Sequence, residues 1–494
     1  MASAQSSPTN EAQQLKPTEL VAVTRSHQNQ SFPIHCLPDE ILASIFCCVE
    51  SPYYVLHVRD LLAFSSVCYR WRSIALECPR LWTRLEPLQR QLFELFLSRS
   101  KQALLDVKFE DCGSIAETNF QECILLALSH AHRWQTCFFG RLVRFETLAS
   151  LPLESMPLLE VLTIVHTTPT SRGGGPAALL FFPIHPPRLS VLVLQGSFIP
   201  STHPIYTGLT ELTLRGIRIL RPSLIQGLLH VFVASPTLLH LRLECLIFSC
   251  PIPPESIHPP TPLIHLSHLQ SLYIALTPTR ATRYILSRLA ISPSARINFG
   301  KGNSDMLAIL PSRDHIQTYL PTLSSAFALR IELTRLIRVS GCTSEHEKLF
   351  KLQLDMRQEL SSIFTTLGTA LPTPSLRSVS LCSSYIISAT IVAAVADLLA
   401  RHPDITQLAF EGCDQPMLQI LLDASICPRL ESLRISKCLL KADALVEIVR
   451  LRTRPKGSAA HGLRRLIAKG CPQLDSGISP VLQEYGVDVE YEGK

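Results

Sequence analysis

An L-x-x-L-x-L core recurs along most of this 494-residue chain. It reads Leu159-Leu162-Ile164, Leu189-Leu192-Leu194, Leu209-Leu212-Leu214, Leu238-Leu241-Leu243 and Leu269-Leu272-Ile274. After a break it returns as Leu376-Val379-Leu381, Ile405-Leu408-Phe410, Leu430-Leu433-Ile435 and Leu463-Leu466-Ala468. First residues of successive cores lie 30, 20, 29 and 31 positions apart in the early group, and 29, 25 and 33 apart in the late one. Self-similarity at such a period marks stacked units, each a strand plus a helix or irregular return. Weaker cores begin at Leu105, with Val107 and Phe109, and at Trp134, with Cys137 and Phe139.

Three consecutive late cores are followed, three residues on, by a cysteine: Phe410 by Cys413, Ile435 by Cys438 and Ala468 by Cys471. A small thiol suits the buried turn where strands stack, whereas a metal site would need ligands converging from separate units. The intervening segments 393–404, 414–430 and 441–452 read as helices, the last with Leu445, Ile448 and Val449 on one face. Early returns such as 251–262 are proline-rich, and 171–176 (SRGGGP) is a loop without the Lys-Ser/Thr ending of a phosphate-binding loop. Residues 300–372 fit least; they hold a weak core at Ala328-Ile331-Leu333 and a stretch, 344–368, that reads as a long amphipathic helix containing Leu349, Leu352, Leu354, Met356 and Leu360. The pattern resembles the cysteine-containing leucine-rich repeats of F-box proteins. The resemblance implies an α/β fold, an irregular solenoid with parallel strands on its concave face and helices and irregular returns on its convex face.

Residues 37–86 carry a different signal. Pro38 suits the first helical position, and Asp39 and Glu40 sit where the helix dipole favours negative charge. Ile41, Leu42, Ile45, Phe46 and Val49 follow at helical spacing, and Pro52 breaks the run. Leu61 and Leu62 mark a second short face, and Val67, Cys68, Trp71, Ile74 and Ala75 a third helix, stopped at Pro79 and followed by a strand. About 50 residues of short helices bury too little surface to be comfortable alone, so a patch covered by a partner is the natural outcome. This stretch resembles an F-box, the module that docks on the Skp adaptor of cullin-RING ubiquitin ligases. By that resemblance Leu37, Pro38, Ile41, Leu42, Ile45, Leu61, Leu62, Val67, Cys68 and Trp71 form the adaptor interface and its supporting core.

Composition narrows the remaining classes. The chain is 46% hydrophobic and 17% charged, which favours an extensive folded core over disorder. Residues 1–33, polar and punctuated by proline, read as a disordered arm without the apolar core of a signal peptide. No run of 18 apolar residues suggests a membrane span, so the sixteen cysteines are expected in a reducing compartment, cytoplasmic, nuclear or both. None forms a C-x-x-C pair. The net charge of +6 is dispersed; Arg452, Arg454 and Lys456, the sharpest basic cluster, read as a solvated loop. His130 and His132 read as a helix-end pair.

No G-x-S-x-G elbow, H-E-x-x-H motif or glycine-rich nucleotide fingerprint appears, so no catalytic residue, cofactor or metal ligand is assigned. No basic stripe interleaved with aromatics points to nucleic acid. The expected organisation is an arm (1–33), an F-box with its following strand (34–86) and a repeat region (87–494) irregular at about 300–372. The expected function is non-catalytic: substrate recognition in an SCF-type ligase, the F-box binding the Skp adaptor and the repeats a protein substrate. The alternative is a scaffold that binds the adaptor without ubiquitylation. Glu211, Thr213, Gln407, Ala409, Ser432, Arg434 and Arg465, between the core positions of their strands, are the candidate substrate face.

Overall fold

The leucine cores become strands. The computed structural model describes residues 33–48, 54–110, 117–140, 156–166, 186–196, 198–252, 263–303, 309–355, 363–364, 367, 369, 371–384, 388–453, 462–474 and 477–492. The proposed arm lies outside these residues, as do the loop at 171–176 and most of the proline-rich return at 251–262. In each core the last two members point to the buried side of a short strand; Leu209, Leu212 and Leu214, for example, expose no surface. Each such side chain contributes roughly 1.5–3 kcal/mol when fully buried, so the repeated positions dominate the stability of the array.

The chain divides into two units, Met1–Val143 with Ser155–Leu159, and Arg144–Glu154 with Glu160–Lys494. In the first, helices α1 (Asp39–Cys48), α2 (Tyr54–Val67) and α3 (Tyr69–Glu77) precede strand β1 (Arg84–Leu85). Helix α4 (Arg90–Arg99), β2 (Leu105–Phe109), α5 (Glu117–Leu128) and β3 (Trp134–Phe139) follow. β1, β2 and β3 pair in parallel, each crossover carrying a helix. The weak cores at Leu105 and Trp134 are therefore genuine strands, and Leu105, Val107, Phe109, Trp134, Cys137 and Phe139 are all buried. At the α5–β3 junction the Arg133 guanidinium donates to the carbonyls of Ala103 and Ser100, at 2.7 and 3.3 Å, and to Ser100 Oγ at 2.8 Å.

The second unit is built on a mostly parallel sheet. β4 (Val161–Val165), β5 (Val191–Gln195) and β6 (Glu211–Arg215) pair in turn. The short β7 (Arg218–Ile219) and helix α6 (Pro222–Ala234) lead to β8 (His240–Glu244), which pairs with β6. β9 (Ile247–Phe248) pairs with β7, and β10 (Ile264–Leu266) with β12 (Leu289–Ile291). Between them β11 (Ser271–Ala275) joins β8, and after helix α7 (Thr279–Leu286) β13 (Arg296–Asn303) joins β11. The late strands β17 (Ser378–Ser383), β18 (Gln407–Glu411), β19 (Ser432–Ser436), β20 (Arg465–Lys469) and β21 (Asp488–Glu492) continue in parallel with matching registers. Helices cover the leucine side; Val395, Leu398 and Leu399 of the helix at Ala389–Ala400 close with Val379, Leu381, Leu408 and Phe410 around a small apolar cavity.

A conformational signature repeats where strands end. Gly196, Gly216, Cys245, Leu276, Gly412, Lys437 and Gly470, each the residue after its strand, all have positive φ, between 51 and 78°. The N–H of Gly196 reaches Arg215 O at 2.8 Å, that of Cys245 reaches Ala275 O at 3.0 Å, and that of Lys437 reaches Lys469 O at 2.9 Å. The left-handed residue turns the chain while its N–H still serves the neighbouring strand, and glycine does this without steric cost. At Gly412 a Cβ would stand 2.3 Å from Ser383 O, so no other residue fits.

Residues 328–355 break the parallel order. β14 (Ala328–Leu333), β15 (Leu336–Cys342) and β16 (Lys348–Asp355) form an antiparallel meander whose outer members pair in parallel with β17 and β13. Spatial order is thus β13–β16–β15–β14–β17, because the two-residue connection at 334–335 permits only a hairpin. The core at Ala328-Ile331-Leu333 is confirmed as a strand, but the helix expected over 344–368 is absent at 348–355. There Phe350, Leu352 and Leu354 are buried while Lys351 and Gln353 are partly exposed, a period of two. Residues 356–360 lie outside the described set. The helix expected over 414–430 shrinks to Gln415–Gln419 and a 3-10 turn at Ile420–Leu422. Arg452 is not in a solvated loop; it closes the helix Ala442–Arg452, buried, while Arg454 and Lys456 lie outside the described residues.

Candidate functional site

The helical region of the first unit sorts its apolar residues into two sets. Helix α1 begins at Asp39, one residue later than Pro38 suggests, with the Pro38 carbonyl accepting from Ile41 and Leu42 N–H, both at 3.1 Å. Leu42, Phe46, Leu61, Ile74 and Ala75 are buried, and the Phe46 ring stacks on Phe64 at 4.7 Å and tilts against Trp71 at 4.8 Å. Ile41, Ile45, Leu62 and Val67 face solvent instead, Leu62 with 64% of its surface exposed. Pro38 is exposed, and Leu37, Cys68 and Trp71 are half-buried. Of the ten residues assigned to the interface, Leu42 and Leu61 therefore belong to its supporting core.

The third helix starts later than its spacing implies. Val67 ends α2, and Cys68 caps α3, its Sγ accepting from Trp71 N–H at 3.4 Å. The Trp71 indole N–H is buried without an acceptor among the described residues. Trp82 closes the far end, its Nε1 donating to Ala75 O at 2.8 Å and its ring lying 4.5 Å under the Arg99 guanidinium. Burial pushes the Cys47 thiol up to about 11, helped by the Cys78 thiol beside it, which favours the protonated thiol at neutral pH.

Two features escaped sequence reasoning. Arg70 holds down the entry to α1: it donates to Asp39 Oδ1, to Leu37 O at 2.5 Å and to His35 O. The signal was a basic residue on the inward stripe 70/71/74/75. Tyr69 stands 84% exposed at the start of α3, which no periodicity marks.

In the second unit all seven residues of the candidate substrate face lie on the side of the sheet opposite the leucines. Gln407, Ser432 and Arg465 stand side by side in register, as do Ala409 and Arg434 one pleat further on; Glu211 and Thr213 occupy the same two positions on β6. The cysteine row is confirmed as packed turns: Cys413 Sγ lies 3.6 Å from Glu411 O, Cys438 Sγ 3.3 Å from Ser436 O and Cys471 Sγ 3.6 Å from Lys469 O. The Cys438 thiol and then burial raise the Cys413 pKa, which keeps that thiol protonated. Among the described residues no group of three or more His, Cys, Asp or Glu could hold a metal ion, and no helix is long and apolar enough to cross a membrane.

Residues 34–86 match the F-box-like family model, so the chain carries an F-box-like domain at its N-terminal side. No curated protein matches the chain. Among solved structures, the yeast Rad7–Elc1 complex contains a chain 13% identical to this one, with 95% of this chain and 91% of that chain covered and a TM-score of 0.24. A likeness of that size does not bear on fold or function.

Proposed function

We propose that this chain is the substrate-recognition subunit of an SCF-type cullin-RING ubiquitin ligase. In this reading the F-box-like domain docks on an Skp-type adaptor, and the second unit, acting as a leucine-rich-repeat solenoid, holds a protein substrate. The observation that carries it is an F-box-like domain whose helices bury Leu42, Phe46 and Leu61 yet leave Ile41, Ile45, Leu62 and Val67 to solvent. Leu37, Pro38, Cys68 and Trp71 complete the docking surface. Apolar side chains on two helices of one small domain are stabilised most by a partner that removes them from water. The ligase's other subunits supply the chemistry, and this chain supplies proximity and orientation, in the cytoplasm, the nucleus or both.

The test is affinity purification of the full chain with and without proteasome inhibition. Adaptor, cullin and stabilised clients recovered together support the reading. Adaptor without cullin points to a scaffold that does not ubiquitylate. Unchanged adaptor capture by the Leu37→Ala/Pro38→Ala/Trp71→Ala variant overturns the docking assignment.

A further inference from the structure

The interrupted strand order of the second unit has a consequence for its leucine-free face. One register position runs from Arg242 on β8 through Tyr273, Asn298 and Lys351. It continues through Ser340, Arg330, Ser380 and Ala409 to Arg434 on β19. From β8 to β19 every charged residue at that position is a cation; beyond β19 the position passes to Ile467 on β20 and Glu490 on β21. The acids stand two residues further along their strands, as Glu244, Glu332 and Glu411. Arg242 is held by Glu244 at 2.5 Å and Arg330 by Glu332 at 2.8 Å, whereas Lys351 and Arg434 make no ion pair among the described residues. Lys351 joins the line only because the meander brings β16 between β13 and β15.

We infer that this line binds an acidic, extended segment of a client protein through spaced carboxylates. The inference rests on the proposed substrate-recognition role and names the chemistry of its substrate. Neighbouring strands lie about 4.8 Å apart, so consecutive cations on the line are separated by roughly 10–14 Å. An extended peptide rises about 3.3 Å per residue, which places matching carboxylates at every third or fourth residue. A phosphate group instead wants several donors converging on one point, an arrangement this line does not offer. The small side chains of Ser340, Ser380 and Ala409 leave room for a backbone to lie across the strands, and the Tyr273 ring, 4.4 Å from the Arg242 guanidinium, holds that cation in place.

The probe is a fluorescein-labelled Gly-Ser peptide of about twelve residues, the length of an extended chain spanning the line, with Glu at every third or fourth position. Its anisotropy is measured on the full chain. The Glu peptide binds and its Gln counterpart does not; Lys351→Glu/Arg434→Glu weakens binding about tenfold or more, since opposite charges on the line become repulsive. Arg221→Glu/Arg280→Glu, an equal charge change at exposed positions off the line, leaves affinity within about threefold. Equal losses in both variants, no discrimination between Glu and Gln, or tighter binding of a Gly-Ser peptide carrying one phosphoserine each overturns the inference. Adaptor capture is read on the same samples. Capture retained without peptide binding defeats the acidic-client inference alone, and capture lost in the unmodified chain defeats the ligase reading beneath it.

Discussion

Arg70 and Asp39, thirty-one residues apart, meet where α3 crosses the entry to α1: Nε and Nη2 of the arginine lie 2.8 and 2.6 Å from the same carboxylate oxygen. The same guanidinium also donates to the carbonyls of His35 and Leu37. One side chain therefore binds both the charged start of a helix and the backbone leading into it.

The two partners should not be equivalent. The carboxylate is 62% exposed, so the ion pair itself contributes little, whereas carbonyls left without their donor cost more. Arg70→Ala is expected to cost about 2 kcal/mol and Asp39→Ala about 0.5 kcal/mol. Chemical denaturation of the full chain, followed by fluorescence of Trp71 and Trp82, measures both; equal costs would show that the carbonyl contacts are weak.

Trp71 presents packing and an orphaned donor together. Trp71→Phe keeps contact with Phe46 and removes the unpaired N–H, so its cost should stay below about 1 kcal/mol. Trp71→Ala should cost about 3 kcal/mol. In adaptor pull-down the Phe variant is captured and the Ala variant is not.

The strand-end glycines differ in what surrounds them. Gly412→Ala forces a Cβ against Ser383 O and is expected to cost more than about 3 kcal/mol. At Gly470 the nearest atom to a new Cβ is Lys437 Cγ at 3.9 Å, so Gly470→Ala meets only the backbone penalty, about 1 kcal/mol. Thermal melts of the two variants should separate clearly.

Arg452 is buried and donates to the carbonyls of Leu421, Asp423, Ile426 and Cys427, at 2.8, 2.5, 2.6 and 3.1 Å. Arg452→Lys cannot reproduce the planar fork and should destabilise nearly as much as Arg452→Ala, about 3 kcal/mol. Full rescue by lysine in a denaturation titration would contradict the fork.

His402 supplies a pH dependence. Burial, with Arg313 and Arg401 nearby, lowers its pKa from the usual 6.5. The unfolded chain then binds a proton the folded chain refuses, so stability is intact above pH 6.5 and declines as pH falls through that value towards the folded pKa. The melting temperature should drop less between neutral pH and pH 5 in His402→Asn than in the unmodified chain, and identical slopes would remove His402 from the acid response.

Much of the fold was legible because it rests on local periods. Leu209-Leu212-Leu214 or Leu430-Leu433-Ile435 can bury one side of a strand in only one way, and Ala442–Arg452 shows its helical face directly. KLFKLQLD at 348–355 was misread because adjacent apolar residues satisfy both a helical and an alternating pattern, and only its pairing with β13 and β15 chooses between them.

By itself, then, the sequence determined the strands at the leucine cores, the three helices of the F-box-like domain and the thiols turned inward at Cys413, Cys438 and Cys471. Only the tertiary structure decided the order β13–β16–β15–β14–β17, the sorting of Leu42 from Ile41 and of Leu61 from Leu62, and the clamps at Arg70 and Arg452. The physical reason is range: a period acts within a few residues, whereas a register or a buried guanidinium is set by groups that folding brings together from twenty to thirty or more positions away.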